Sequence, residues 1–249
     1  MAKVRLDKLL IKRGFAVAKP EALALIASGR VLVGGMPNTK AGAQVDAGAD
    51  VKLKDLEQAW VSRGAHKLLG ALKAFDLDPS GMVAMDVGSS TGGFTDVLLT
   101  HGASKVFAID VGYGQLAWRL RQDERVVVLE RENIRNLEIE KLGEPIDITV
   151  IDASFISLTL ILGKVAELMG GGGKPIVALI KPQFEARKDQ VGEGGVVRDE
   201  AVRQECIDAI RNWSLARKFT IDGIVESPIQ GPAGNIEFLI LLRTPRVEP

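Results

Sequence analysis

From Met82 onward the chain alternates short aliphatic runs with stretches of helical periodicity, and this alternation restricts its fold more than any other property. Strand-like runs fall at Met82–Val87, Val106–Ile109, Val126–Leu129, Ile146–Ile151, Ile176–Ile180, Phe219–Val225 and Ile236–Leu242. Helix-like stretches lie between most of them, at Phe94–Thr100, Gln115–Arg121, Leu158–Met169 and Glu200–Lys218. Strands that are nearly continuous Val, Ile and Leu are apolar on both faces and need cover on both sides. The expectation is an α/β fold: a seven-stranded, mostly parallel sheet between helical layers. Only Glu226–Asn235, with its Pro and Gly, separates the last two runs, which predicts a terminal antiparallel hairpin.

The segment ahead of this region has a different character. Residues 1–73 hold thirteen Lys/Arg against six Asp/Glu, a net +7 that the remainder balances to a formal charge of zero. Such asymmetry is the electrostatic signature of a nucleic-acid-binding module joined to something else. The plainer alternative is a solvated basic surface with no partner. Leu6, Leu9 and Leu10 recur at helical spacing, with Arg5, Lys8, Lys12 and Arg13 on the other faces. Gly14 stops that helix, Pro20-Glu21 opens a second, and Ser28-Gly29 caps it. Short strands follow at 30–35, Val45 and 51–53. The boundaries expected are a basic module at 1–57, a linker at 58–63 and the α/β domain at 64–249, with Ser62 as N-cap of its first helix.

The lone Cys206 rules out an internal disulfide and fits a reducing compartment. No leader pattern and no apolar run of the ~18 residues needed to span a bilayer is present, so a cytoplasmic protein is expected.

Chemistry concentrates around the phrase Asp86-Val-Gly-Ser-Ser-Thr-Gly-Gly-Phe94, which follows the first strand-like run. A strand, a glycine-rich turn and a helix allow a ligand to approach backbone N–H groups closely. The phrase is not the dinucleotide pattern Gly-x-Gly-x-x-Gly. Asp110 ends the next strand, where a carboxylate can take both hydroxyls of a ribose. A nucleoside-like cofactor is the reading. Asp152, Lys181 and Glu237 each stand at the edge of an apolar run, and Lys67 stands at the junction behind the basic module. Lys181 beside a second cation and partly out of water would serve as a neutral base, with Asp152 to hold it and Glu237 to position Lys67 or a hydroxyl. The place of Lys67 at the junction predicts that substrate docking completes the set.

These phrases resemble known families. Arg5-Leu-Asp-Lys-Leu-Leu10 with Ser28-Gly-Arg-Val-Leu-Val33 is similar to the S4 RNA-binding domain. That resemblance implies RNA contacts at Arg5, Lys8, Lys12, Arg13 and Arg30, with Arg63 of the junction added. The order of the glycine phrase, Asp110, Asp152, Lys181-Pro and a late Glu resembles the Rossmann-like S-adenosylmethionine methyltransferases of the FtsJ/RrmJ class. Ser62-Arg-Gly-Ala-His-Lys67, Ile151-Asp-Ala-Ser-Phe-Ile-Ser157, Lys181-Pro-Gln-Phe-Glu185, Gly194-Gly-Val-Val-Arg-Asp199 and Gly231-Pro-Ala-Gly-Asn-Ile-Glu237 narrow it to the TlyA family of rRNA cytidine 2′-O-methyltransferases. The resemblance implies S-adenosylmethionine as cofactor and ribosomal RNA, 16S and/or 23S, or ribosomal subunits as partner. It implies Lys67, Asp152, Lys181 and Glu237 as a catalytic tetrad. Asp86, Gly88, Ser89, Gly92, Gly93, Phe94, Asp110, Asn133 and Asp152 would bind the cofactor.

Other features carry less. Met169-Gly-Gly-Gly-Gly-Lys174 is a helix-to-strand turn, because Pro175 stands where a phosphate loop needs Ser or Thr. His66 and His101 have no partners at metal spacing, so no metal is expected. The glycine-rich stretch 191–197 is a candidate mobile loop over the substrate, and Trp60, Trp118 and Trp213 read as packing residues. Two rival classes remain: a membrane-active haemolysin, a label this family has also carried, and an RNA-binding protein with an inactive methyltransferase domain. The absence of a spanning run argues against the first, and the intact tetrad against the second.

Overall fold

A computed structural model describes residues 3–53 and 60–246. The chain divides into two compact units, Met1–Ala59 and Trp60–Pro249. Part of the expected linker, residues 58 and 59, lies outside the described residues.

The first unit runs β1 (Lys3–Arg5), α1 (Leu6–Lys12), α2 (Lys19–Ala27), β2 (Val31–Val33), β3 (Met36–Pro37), β4 (Gln44–Asp46) and β5 (Val51–Leu53). Strands β3, β2 and β5 form one antiparallel sheet, and β1 pairs with β4. Strand β1 is not legible in the sequence, since three residues of alternating exposure carry no periodic signal. Leu6, Leu9 and Leu10 of α1 meet Ala22, Leu25 and Ile26 of α2 and Val31 of β2 in one small core. The helical spacing of those leucines is what turns a single apolar face of α1 inward.

The second unit contains α3 (Ala65–Ala74), β6 (Val83–Val87), α4 (Gly93–Thr100), β7 (Lys105–Asp110), α5 (Trp118–Arg121), β8 (Val126–Glu130), β9 (Ile148–Ile151), α6 (Leu162–Met169), β10 (Pro175–Ile180), α7 (Pro182–Glu185), α8 (Glu200–Ala216), β11 (Thr220–Glu226) and β12 (Phe238–Arg243). Helix α3 starts at Ala65 with Gly64, not Ser62, as its N-cap; Ser62 stands two residues earlier, and its hydroxyl accepts from Gly64 N at 3.1 Å. The seven strands lie in the order β11-β12-β10-β9-β6-β7-β8. All neighbours are parallel except β12, which runs antiparallel to both β10 and β11. The terminal hairpin is present, with its second strand inserted between the first and the body of the sheet.

Alternate residues of the central strands feed two cores. Met85, Phe107, Ile151 and Ile176 face α6 and α8, whereas Ala84, Val106, Val150 and Val177 face α3 and α4. The helices therefore cover both faces, as the continuous aliphatic runs require. From β6 the chain first builds β7 and β8 on one side, then crosses to build β9 and β10 on the other. Ligands of open α/β sheets bind in the crevice that such a reversal leaves at the carboxyl ends of the strands.

Candidate active site at the carboxyl edge of the sheet

Two adjoining cavities open at that edge, of about 500 and about 560 Å3. Gly88, Ser90, Asp152, Ser154 and Phe155 line both. The first cavity lies among the ends of β6, β7 and β9, with Asp110, Asn133, Gln115 and Glu132 on its wall. The second lies over β9 and β10 and the start of β12, with Lys67, Lys181, Gln183 and Glu237 on its wall.

Sheet register assembles the second cavity. Ile180 of β10 pairs antiparallel with Phe238 of β12, so Lys181 and Glu237, each one residue further out, emerge at the same edge. Parallel pairing of β9 with β10 brings Asp152 to that edge as well. Lys67 arrives from α3, a buried lysine in the helix ahead of the sheet. Its Nζ lies 2.6 Å from Glu237 Oε2 and 3.9 Å from Asp152 Oδ2. Lys181 Nζ lies 2.6 Å from Asp152 Oδ1 and donates to Ser154 Oγ at 2.9 Å. Asp152 thus stands between two cations, and the charge nearest Lys181 is this carboxylate, not Lys67. Gln183 Nε2 donates to the other oxygen of Glu237 at 3.1 Å. The four polar residues are already in contact within one unit, so their assembly does not wait for a docked substrate.

Local structure holds the loops around them. Pro182 opens α7 immediately after Lys181, where its fixed φ suits a first helical position. Glu185, at the end of α7, accepts from Ser157 Oγ at 2.6 Å and Leu158 N at 2.8 Å, tying α7 to the loop after β9. Burial pushes the Glu185 carboxyl up from its ordinary range, and those two hydrogen bonds work against the shift. In the same loop Phe155 sits at φ +63° with 90% of the residue exposed, its ring centre 5.0 Å from that of Phe184. The stretch 191–197 is held by Asn235, which accepts from Val197 N and donates to Gly195 O, both at 2.9 Å.

The glycine phrase distributes its residues among different tasks. Gly88, at φ +83°, fits against β9: a Cβ there would stand 2.8 Å from the Asp152 carbonyl oxygen. Ser89, Gly93 and Phe94 line the second cavity, not the first. Gly92 lines neither; it is the left-handed N-cap of α4, and a Cβ would run into Leu116 and Leu120. Asp86 also lines neither cavity. It is fully buried, and its Oδ2 accepts from Thr95 N at 2.9 Å and Thr95 Oγ1 at 2.7 Å, bracing the first turn of α4. Burial pushes its carboxyl up to about 7. Of the nine residues expected at a cofactor, Gly88, Asp110, Asn133 and Asp152 meet in the first cavity.

Asp110 is suited to a ribose. Its two oxygens accept from Ser90 N at 2.8 Å and Gly112 N at 2.7 Å, which fixes the carboxylate while leaving lone pairs for hydroxyl donors. Asn133 Oδ1 caps a short 3-10 turn by accepting from Arg135 N at 3.1 Å. Sequence reasoning missed Ser154, Gln183 and Asn235; none has a pattern of its own, and each matters through a partner distant in sequence.

In the basic unit the expected RNA contacts divide as well. Arg5 makes a two-point contact with Asp7, at 3.1 and 2.7 Å, and Arg13 donates to the carbonyls of Ala47 and Ala49, both at 2.7 Å. Those two guanidiniums hold the unit's own turns. Lys8 and Lys12 are exposed, and the buried Arg30 Nε has no hydrogen-bond partner among the described residues. Arg63 belongs to the other unit, where it donates to Gln230 O at 3.2 Å and lines the second cavity. Trp118 is exposed, while Trp60 and Trp213 pack against the two cores.

A ribose-type carboxylate beside a glycine turn, adjoining a cavity walled by two lysines and two carboxylates, defines a Rossmann-like methyltransferase domain. Comparison with known proteins is consistent with this class. Residues 60–244 match the FtsJ-like methyltransferase family and residues 4–51 match the S4 domain. The 16S/23S rRNA (cytidine-2′-O)-methyltransferase TlyA of Mycobacterium tuberculosis is 47% identical over 97% of this chain and 90% of its own length. Hemolysin A of Brachyspira hyodysenteriae is 35% identical over 95% of this chain and 98% of its own. A solved structure from Streptococcus thermophilus, provisionally designated a hemolysin, superposes with a TM-score of 0.73 at 41% identity, covering 98% of this chain and 90% of its own. The chain belongs to the FtsJ-like methyltransferase family and, within it, to the TlyA group.

Proposed function

We propose that this protein transfers the methyl group of S-adenosylmethionine to the 2′-hydroxyl of a cytidine in ribosomal RNA, 16S and/or 23S. The observation that carries the reading is the chain of contacts Lys181–Asp152–Lys67–Glu237 on the wall of the second cavity, with Asp152 shared by the first. Asp110, Gly88 and Asn133 would hold the cofactor in the first cavity, where the Asp110 carboxylate, fixed by two backbone N–H groups, keeps lone pairs for ribose hydroxyls. The cofactor supplies a methyl group on a positive sulfonium.

Methyl transfer is an in-line displacement, so most of the work is alignment of the attacking oxygen. The second cavity receives the target ribose. Lys181 takes the 2′-hydroxyl proton as the new O–CH3 bond forms and the S–CH3 bond breaks, leaving a neutral thioether, and Asp152 holds the ammonium that results. Glu237 holds Lys67 in place, and Gln183 holds Glu237 in place. Phe155, exposed at the mouth of both cavities, presents a ring face on which an unstacked base can lie. The S4 unit, with Lys8 and Lys12 exposed, supplies the phosphate contacts that bring the ribosomal RNA or a ribosomal subunit to the site.

The haemolysin reading finds less support, because among the described residues no helix is long and apolar enough to cross a membrane. The deciding experiment incubates the protein with ribosomal subunits and labelled S-adenosylmethionine and maps the methylated nucleotide. Label on a ribose 2′-oxygen supports the reading; no transfer to any ribosomal RNA overturns it.

A further inference from the structure

Lys181 Nζ has two neighbours in place before any substrate arrives: Asp152 Oδ1 at 2.6 Å and Ser154 Oγ at 2.9 Å. A lysine nitrogen is tetrahedral, with one direction taken by its own carbon. Only Ser154 Oγ accepts a hydrogen bond from Lys181; Asp152 Oδ1 is an ion-pair neighbour without one. In the neutral amine one N–H is therefore fixed on Ser154, the second is drawn toward the carboxylate, and the single lone pair takes the remaining direction. Lys181 lines the second cavity, so that direction is where a hydroxyl would have to lie to give up its proton. Asp152 alone cannot set this orientation, because its near oxygen lies 2.6 Å away without accepting a hydrogen bond, which leaves the amine free to turn about its Cε–Nζ bond. The hydrogen bond to Ser154 stops the rotation.

We propose that Ser154 is a positioning residue for the methyl transfer, fixing the rotation of the Lys181 amine so that its lone pair faces the target hydroxyl. The inference rests on the reading of Lys181 as proton acceptor. Ser154 is set up for the task by its neighbours. It follows Asp152 by two residues, in a loop anchored by the Ser157 and Leu158 bonds to Glu185, so both neighbours belong to one braced segment. Ser154 also lines both cavities, where cofactor and ribose would meet.

The test compares wild type with Ser154→Ala, Ser154→Thr and Lys181→Ala, on ribosomal subunits with labelled S-adenosylmethionine. Turnover, KM for the subunit, cofactor affinity and thermal midpoint are all measured. Ser154→Ala is expected to lower kcat by about 10- to 100-fold, the scale of a misaligned reacting group. Its KM, cofactor affinity and thermal midpoint stay at wild-type values. Ser154→Thr, which keeps the acceptor, restores most of the turnover. Wild-type kcat in Ser154→Ala overturns the inference; so does a loss that falls on KM or cofactor affinity, or one that threonine does not rescue. Lys181→Ala separates the two claims: wild-type turnover in that variant removes the proton-acceptor reading itself, whatever Ser154 does.

Discussion

The Lys67 ammonium and the Glu237 carboxylate, 170 residues apart in the chain, meet at 2.6 Å with 7% and 1% of their side-chain surfaces exposed. Breaking one partner of a buried pair strands the other charge, which costs about 3–5 kcal/mol. Glu237→Ala should therefore lower the urea midpoint substantially as well as stop turnover. The double replacement Lys67→Met/Glu237→Leu should recover most of the stability and none of the activity. Denaturation curves of the three proteins decide this, and an unchanged midpoint in Glu237→Ala would mean the pair is not buried in solution.

Lys181 borders the second cavity and not the first. Lys181→Ala should therefore lower methylation by at least ~100-fold, the lower end of what a positioned acid or base contributes. Its affinity for S-adenosylmethionine should stay nearly intact. Calorimetric titration of the variant with the cofactor, beside the labelled transfer assay, checks both halves.

Asp110 faces the first cavity with a carboxylate fixed by two backbone N–H donors. Hydrogen bonds to a charged group are worth about 1.5–3 kcal/mol, so Asp110→Ala should weaken cofactor binding by roughly 10- to 100-fold. Equal affinity in wild type and variant, by the same titration, would place the ribose elsewhere.

Asp86 makes a stability prediction with a definite sign. Its carboxyl is raised to about 7 in the folded protein, against an ordinary value near 3.8. Between those values the folded state holds a proton that the unfolded state has released, so this group's contribution to stability falls as pH rises from about 4 to about 7 and is level above. Asp86→Asn cannot ionise, yet its amide oxygen can still accept from Thr95. The variant should show a flatter dependence of thermal midpoint on pH across that window and should gain on wild type toward pH 8. A parallel pair of curves would contradict the assignment.

Much of this protein is determined by short-range pattern. The alternation from Met82 onward implies the parallel sheet, because aliphatic runs must be covered on both faces. The leucine spacing of α1 and the glycines that end its helices define the small basic unit. Asp110 and Gly88 reach the first cavity because the end of a parallel strand is a place the sequence can announce.

What only the tertiary structure decides is which side chains meet. Asp86 stands in the same local phrase as Gly88, yet it lies inside β6, fully buried, and braces Thr95, whereas Gly88 stands just past the end of the strand. Gly92 is required by Leu116 and Leu120, which arrive from the next crossover. Strand β12 runs antiparallel between β10 and β11, and this insertion sets Glu237 beside Lys181 and opposite Lys67. Strand order, direction and register are non-local quantities, fixed by how all the apolar faces are buried at once. Ser154 shows the limit most plainly: nothing in its neighbours predicts a contact with Lys181, and 2.9 Å between them is a property of the folded chain alone.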